Sequence, residues 1–257
     1  TVENNSVEVV TYCHQDQDAV GVKIISPLIE KGKISVRLRL PYPTGNWGDM
    51  GNNFSSDDKH SSSLNESSHN SAEITHQLDT STYRLALNWS GRASIDKMQA
   101  HYYELKPSGA ASFSFTCLFL PALKKNTNLS FDNIKSNSIQ QWQQFWQKGG
   151  VVDFSGSTDA RANELERRIV LSQYLTKVNC GGNNPPQETG LTYNSWFGKP
   201  HMEMHWWHAV DFALWGHVEI LEKQLNWYNR AAARAKAIAA RQGYEGLRWQ
   251  KMTDNDG

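Results

Sequence analysis

The apolar period of this chain changes once, near residue 136, and that change limits the folds open to it. Before it, Val7–Tyr12, Val20–Ser26 and Ile34–Leu40 alternate apolar and polar residues, as do Tyr83–Trp89 and Ala111–Leu120. A period of two places one edge of each segment against a core and the other in water, the signature of half-buried antiparallel strands. Asn46–Ser71 is crowded with Asn, Ser, Asp and Gly and reads as a long surface loop. Several strands joined by turns, with no helical stretch among them, predict a β-sandwich over 1–135.

After the change the period is helical. Ser138–Lys148 sets Ile139, Trp142, Phe145 and Trp146 on one face before Gly149-Gly150 ends the run. The 136–158 stretch is therefore expected as a helical linker. A second helix is expected from an Asp159 N-cap to Asn179, with Leu165, Ile169, Ser172 and Val178 along one side. Two more follow at Val218–Tyr228 and Asn229–Gln242, the latter closed by Gly243. Residues 159–257 thus form an all-α region, and the fold class is multidomain β plus α. The chain stops at Asp254-Asn255-Asp256-Gly257, beside much aromatic surface, which leads to the expectation that the helical domain is cut short.

Lys plus Arg and Asp plus Glu number 26 each, so there is no basic surplus to draw nucleic-acid phosphates. No apolar run approaches the roughly 20 residues of a membrane span. The N-terminus lacks the shape of a signal peptide. Cys13, Cys117 and Cys180 are odd in number and widely spaced; one pair could bridge, but they are expected as buried free thiols. Asn-x-Ser sequons at Asn4, Asn53, Asn65, Asn88 and Asn128 reflect an Asn- and Ser-rich surface.

Eight of the ten tryptophans lie in the second half, and four of them fall within Asn194–Trp215. There Trp196, Trp206, Trp207 and Trp215 accompany His201, Glu203, His205 and His208 around a Gly-Lys-Pro turn. Flat indoles beside short polar heads suit a pyranose, which offers C–H faces for stacking and a rim of hydroxyls. The plainer alternative is an aromatic core with satisfied histidines. His201-x-Glu203-x-His205 also invites a metal, but on a helix Glu203 points away from the two histidines, and the H-E-x-x-H spacing is absent. The expectation is no metal and no cofactor. Glu203, flanked by Met202 and Met204, is expected to have a raised pKa through desolvation, suiting a general acid or a hydroxyl contact; a pairing with Lys199 or a histidine is the alternative. A second cluster, Gly243–Asp254, carries Arg248, Trp249 and Lys251 on a loop after a helix, where they can meet hydroxyls or a phosphate. Trp47 is expected as an exposed aromatic on a loop tip.

These two clusters, about 45 residues apart, resemble the six-hairpin glycosidases, most closely glycoside hydrolase family 65 and its clan. Met202-Glu203-Met204-His205 stands where that family has Trp-Asp-Thr-Glu, and Gly243-Tyr244-Glu245-Gly246-Leu247-Arg248-Trp249 matches the start of its second motif. A β-sandwich ahead of a linker helix and an (α/α)6 barrel is the family's architecture. The resemblance implies an inverting glycoside hydrolase acting on an oligo- or polysaccharide through carboxylate acid/base catalysis, with Glu203 as the catalytic-site carboxylate. It implies Trp196, His201, His205, Trp206, Trp207, Arg248, Trp249 and Lys251 as substrate contacts, and the first helices of the barrel in 159–257. The chain departs from the family at Glu203, His205 and Lys251-Met252, so phosphorolysis of maltose or trehalose is not carried over. A disaccharide phosphorylase and a non-catalytic carbohydrate-binding protein remain the alternatives. Analogy with polysaccharide-degrading enzymes implies a periplasmic or secreted protein.

Overall fold

The structure, a computed structural model, describes residues 4–257, with nothing said of the side chains at 66 and 67. The first three residues of the expected β domain lie outside it. The chain divides into two compact units. One holds the described residues up to Pro43 together with Gly51–Gln144; the other holds Thr44–Met50 and Phe145–Gly257.

Among the described residues of the first unit, nine strands form two antiparallel sheets. Strands β1 (Glu8–Cys13), β2 (Ala19–Ile25), β4 (His60–Ser68), β5 (Ser71–Leu78), β6 (Ser81–Ser90) and β9 (Ser112–Pro121) make the larger, in the order β1-β2-β9-β6-β5-β4. β3 (Val36–Arg39), β7 (Arg92–Gln99) and β8 (Tyr102–Ser108) make the smaller, with β8 central. Ile74, Leu85, Leu87, Phe113 and Phe115 from the large sheet join Ile95, Tyr103 and Leu105 from the small one in a single core. That shared core makes the two sheets a sandwich, as the alternation predicts.

The expected loop over Asn46–Ser71 is corrected in its second part, where His60–Ser68 is a strand. β4 is the sheet's edge and carries one large apolar residue, Leu64, among serines. A polar edge strand blunts pairing with other chains, and the same composition disguises it as a loop. β5, β7 and β8 also go beyond the expected strands.

Helix α1 (Phe131–Lys148) begins seven residues before the expected start at Ser138. Ser130 caps it: Asn133 N–H donates to Ser130 Oγ at 3.2 Å, while Asn133 Oδ1 accepts from Ser130 N–H at 3.1 Å. Its first turns bury Phe131 and Ile134 on the outer face of the large sheet, against Ala19, Ala86, Leu118 and Leu120. Gly21 makes that approach possible, since a Cβ there would lie 3.3 Å from both Phe131 and Ile134. The divide between the units falls inside this helix, after Gln144.

The second unit contains α2 (Ala162–Cys180), a single turn at Trp196–Gly198, α3 (Met202–Leu214) and α4 (Val218–Arg241). Three expectations are corrected here. Val218–Arg241 is one continuous helix, not two, because Tyr228-Asn229 carries no breaker and Trp227, Ala231, Ala235 and Ala239 extend one buried stripe. In α2 the expected apolar side is exposed at Leu165 and Val178, and the buried residues are Ala162, Gln173 and Cys180. Asp159 does not cap α2 through N2 or N3. It sits one turn earlier, holding Arg161 N–H at 2.8 Å and the Arg161 guanidinium. All three cysteines are free; Cys117 and Cys180 are buried as expected, whereas Cys13 is exposed. No helix among the described residues is long and apolar enough to cross a membrane.

Candidate functional site

Three stretches of the helical unit converge around the start of α3. Pro200–Met202 pairs on one side with the Pro186–Gln187 loop and on the other with Lys251–Thr253, through bridges Gln187–Pro200 and His201–Met252. Met202 N–H donates to the Lys251 carbonyl at 2.7 Å, and Thr253 N–H to the Pro200 carbonyl at 3.1 Å. The third stretch is Thr44–Met50. Asn194 Nδ2 donates to the Asp49 carbonyl at 2.6 Å, and Phe197 N–H donates to the Trp47 carbonyl at 3.0 Å. A Cβ at Gly198 would lie 2.7 Å from Asn194 Oδ1, so only glycine lets that asparagine side chain in.

The turn itself is strained. Trp196, Phe197 and Gly198 have φ of 51°, 61° and 66°, three successive left-handed residues of which two carry aromatic side chains. Each such non-glycine residue costs about 1 kcal/mol or more and persists only where its surroundings over-determine it. Here they do: the Trp196 ring meets Trp47 edge-on at 5.4 Å and His201 at 5.9 Å, and the Lys251 ammonium lies 5.8 Å over it.

Glu203 occupies the first turn of α3, where a carboxylate favours the helix dipole. It is 57% exposed and meets Lys251 Nζ at 2.6 Å. The Lys251 ammonium holds the Glu203 carboxyl below the usual carboxylate range, and Glu203 in turn raises Lys251. The expected rise through desolvation is thus reversed: the two methionines flank Glu203 in sequence, but the helix turns its carboxylate outward to a cation.

His201 is 2% exposed and sits at the N-cap of α3. Its Nε2 lies 3.3 Å from Glu188 Oε2, a close approach without aligned hydrogen-bond geometry, so among the described residues both ring nitrogens lack a directed partner. His208 hydrogen-bonds to the Glu188 backbone, and burial pulls its pKa down. His205 goes elsewhere. Its two nitrogens meet Gln224 Oε1 at 2.8 Å and Tyr228 Oη at 2.9 Å between α3 and α4, while Gln224 Nε2 donates to the Cys180 carbonyl. Burial lowers this imidazole's pKa as well. So His201, Glu203 and His205 turn to different partners and, among the described residues, do not form a shared ligand set. Asp211, further along α3, is raised by burial despite a hydrogen bond from Trp215.

Of the residues singled out in the sequence, Trp196, His201, Glu203 and Lys251 come together, joined by Trp47, Glu188 and an ion pair between Lys199 Nζ and Asp254 Oδ1 at 2.9 Å. Trp206 and Trp207 stand on α3, 64% and 69% exposed. Trp249 packs edge-on against Tyr228 at 5.3 Å, with its buried indole N–H unpartnered among the described residues. Arg248 lies 5.6 Å over the Tyr244 ring. Glu188 escapes sequence reasoning because an isolated glutamate in a Pro-containing loop carries no spacing signal. Trp47, expected at a solvent-facing tip, is half exposed and paired with Trp196.

The arrangement offers aromatic faces held at a fixed angle, beside an ionised acceptor and an ammonium donor within one hydrogen bond of each other. Such a surface suits a neutral, hydroxyl-rich ligand better than an anion, because Lys251 and Lys199 are both neutralised. No protein-family model matches the chain, and no curated protein was found to be significantly similar to it.

Proposed function

We propose that the chain contributes the saccharide-binding part of a glycoside hydrolase acting on an oligo- or polysaccharide. The observation that carries this reading is the strained Trp196 turn, which holds one indole against Trp47 directly beside the Glu203–Lys251 pair. Sugar rings stack on indoles through C–H faces, and an ionised carboxylate grips hydroxyls more strongly than a neutral one. In this reading α2–α4 are the first helices of an (α/α)6 barrel.

The low pKa of Glu203 gives it a definite part. A general acid must hold a proton near neutral pH, and Glu203 does not. It therefore serves as a hydroxyl-orienting carboxylate, with Trp196 and Trp47 as stacking surfaces and Lys251 as a donor. Inversion needs an acid and a base carboxylate about 6.5–9.5 Å apart, and an ionised Glu203 is excluded only from the acid's part. Neutralisation of Lys251 by Glu203 favours water over phosphate as the acceptor.

The test is a tryptophan-fluorescence titration with a panel of oligosaccharides, followed by proton NMR of any ligand for bond cleavage and anomeric outcome. Binding that weakens about tenfold in Trp196→Ala and in Glu203→Gln supports the site. Cleavage with inversion supports the hydrolase. Binding without cleavage would reassign the chain as a carbohydrate-binding protein, and no binding to any glycan would end the reading.

A further inference from the structure

A second polar cluster lies in the β unit, inside a core that its strands otherwise fill with apolar side chains. β5 points Ala72, Ile74 and His76 inward, so an imidazole occupies a position that alternation assigns to an aliphatic residue. Directly across from it, by strand register, stand Ser62 on β4 and Tyr83 on β6, with His60 two residues along β4 on the same face. The small sheet supplies the third imidazole. His101 sits in the β7–β8 turn at φ 56°, a left-handed position where glycine or asparagine is the usual choice, yet its ring is buried. The backbone accepts strain there in order to deliver an imidazole.

The three rings converge. His60 Nδ1 and His76 Nε2 are 2.6 Å apart, the His60 and His101 rings stack at 3.6 Å, and one nitrogen from each of the three lies within 4.8 Å of the others. Outer partners set the tautomers. The Asp57 carbonyl can only accept, so at 3.0 Å from His101 Nε2 it fixes the proton there and leaves a lone pair on Nδ1, which faces Ser62 Oγ at 2.8 Å. Tyr83 Oη at 2.7 Å satisfies His76 Nδ1 and leaves Nε2 turned to the cluster. Two of the three, His76 and His101, are thus held by their outer nitrogens, the arrangement that orients imidazoles in metal sites.

We propose that His60, His76 and His101 bind one divalent zinc-like ion, linking the large sheet to the β7–β8 turn of the small one. Three neutral imidazoles select zinc, copper or nickel over calcium or magnesium, which need oxygen donors. With Zn–N bonds near 2.0–2.1 Å, tetrahedral ligand nitrogens stand about 3.3 Å apart. Binding therefore spreads the His60–His76 contact by less than about 1 Å, makes Ser62 Oγ give up the His101 lone pair, and requires the stacked His60 and His101 rings to turn out of their stack so that both in-plane lone pairs aim at the ion. The fourth position falls to water or to the Ser62 hydroxyl.

The experiment uses the full chain, stripped with chelator and titrated with Co²⁺, whose visible absorption reports tetrahedral nitrogen coordination, and then with Zn²⁺ to displace it. One ion per chain is expected, lost in His60→Ala and in His101→Ala and retained in His208→Ala, which alters the helical unit. Proton NMR of the unaltered chain gives a readout independent of whether any variant folds: Zn²⁺ should move three of the nine histidine ring signals and leave six. No saturable binding, unchanged binding in His60→Ala, or shifts confined to other histidines would overturn the site and leave an imidazole network satisfied by hydrogen bonds alone.

Discussion

The two units differ in how completely they cover their apolar residues. In the β unit Ile74, Leu87, Leu105 and Leu118 are all but sealed from solvent, and the core runs unbroken between the sheets. In the helical unit Leu165, Trp206, Trp207 and Leu214 are half exposed or more, while the interior of α3–α4 contains His205 and Gln224. An apolar interior makes any polar intruder conspicuous, which is why three converging histidines in the sandwich call for a chemical explanation. Where aromatic rings face outward and hydrogen-bonded polar groups lie inside, the chemistry is to be sought on the surface.

The largest test of this contrast is truncation. Leu105→Ala should cost about 2–5 kcal/mol of unfolding free energy, whereas Leu214→Ala should stay within about 0.5 kcal/mol. Urea melts followed by circular dichroism would expose the contrast as false if the two variants behaved alike. Next is Gln224→Ala, which strips His205 Nε2 and the Cys180 carbonyl of their partner and should cost about 1–3 kcal/mol. Tryptophan fluorescence can follow it, since eight of the ten tryptophans lie in the helical unit.

A smaller effect comes from pH. Burial lowers His205, His208 and His217 in the folded chain, so below about 6.5 the unfolded chain takes up protons that the folded one refuses. Stability of the helical unit should be full above that value and decline as the pH falls through the depressed folded values. Thermal melts between pH 8 and 5 that show no decline would contradict the buried placement of these rings. The smallest change is expected for Lys251→Ala: the exposed pair contributes little to folding, so the melting midpoint should not move. The Glu203 carboxyl should nevertheless titrate at higher pH, as read by carbon NMR of its side chain.

The sandwich was legible because alternation is a direct record of burial, as in Ala111–Leu120. β4 was not, since an edge strand needs no apolar face and its serines spell a loop. β5 was obscured at the position where it departs from rule, the inward His76. In the helical unit the spacing of Trp196, His201, Glu203 and Lys251 was informative, but their partners were not: Glu203 selects Lys251 from 48 positions away, and only the fold decides between that lysine, Lys199 and a histidine. His205 shows the converse. It shares a motif with Glu203, yet a step of two residues along α3 turns it to the opposite side, where Gln224 and Tyr228 take both nitrogens.

The segment Thr44–Met50 imposes an order of events on folding. It is made early, between strands of the sandwich, yet its hydrogen-bond partner Asn194 lies 145 positions later. The turn that strains Trp196 therefore cannot be locked until most of the chain has been synthesised, and contacts of such long range form slowly. A helical unit cut out by sequence alone, from residue 145 onward, would lack Trp47 and the carbonyls that anchor the turn. Its left-handed backbone would then be free to relax, and the aromatic pair would be lost before any ligand was offered to it.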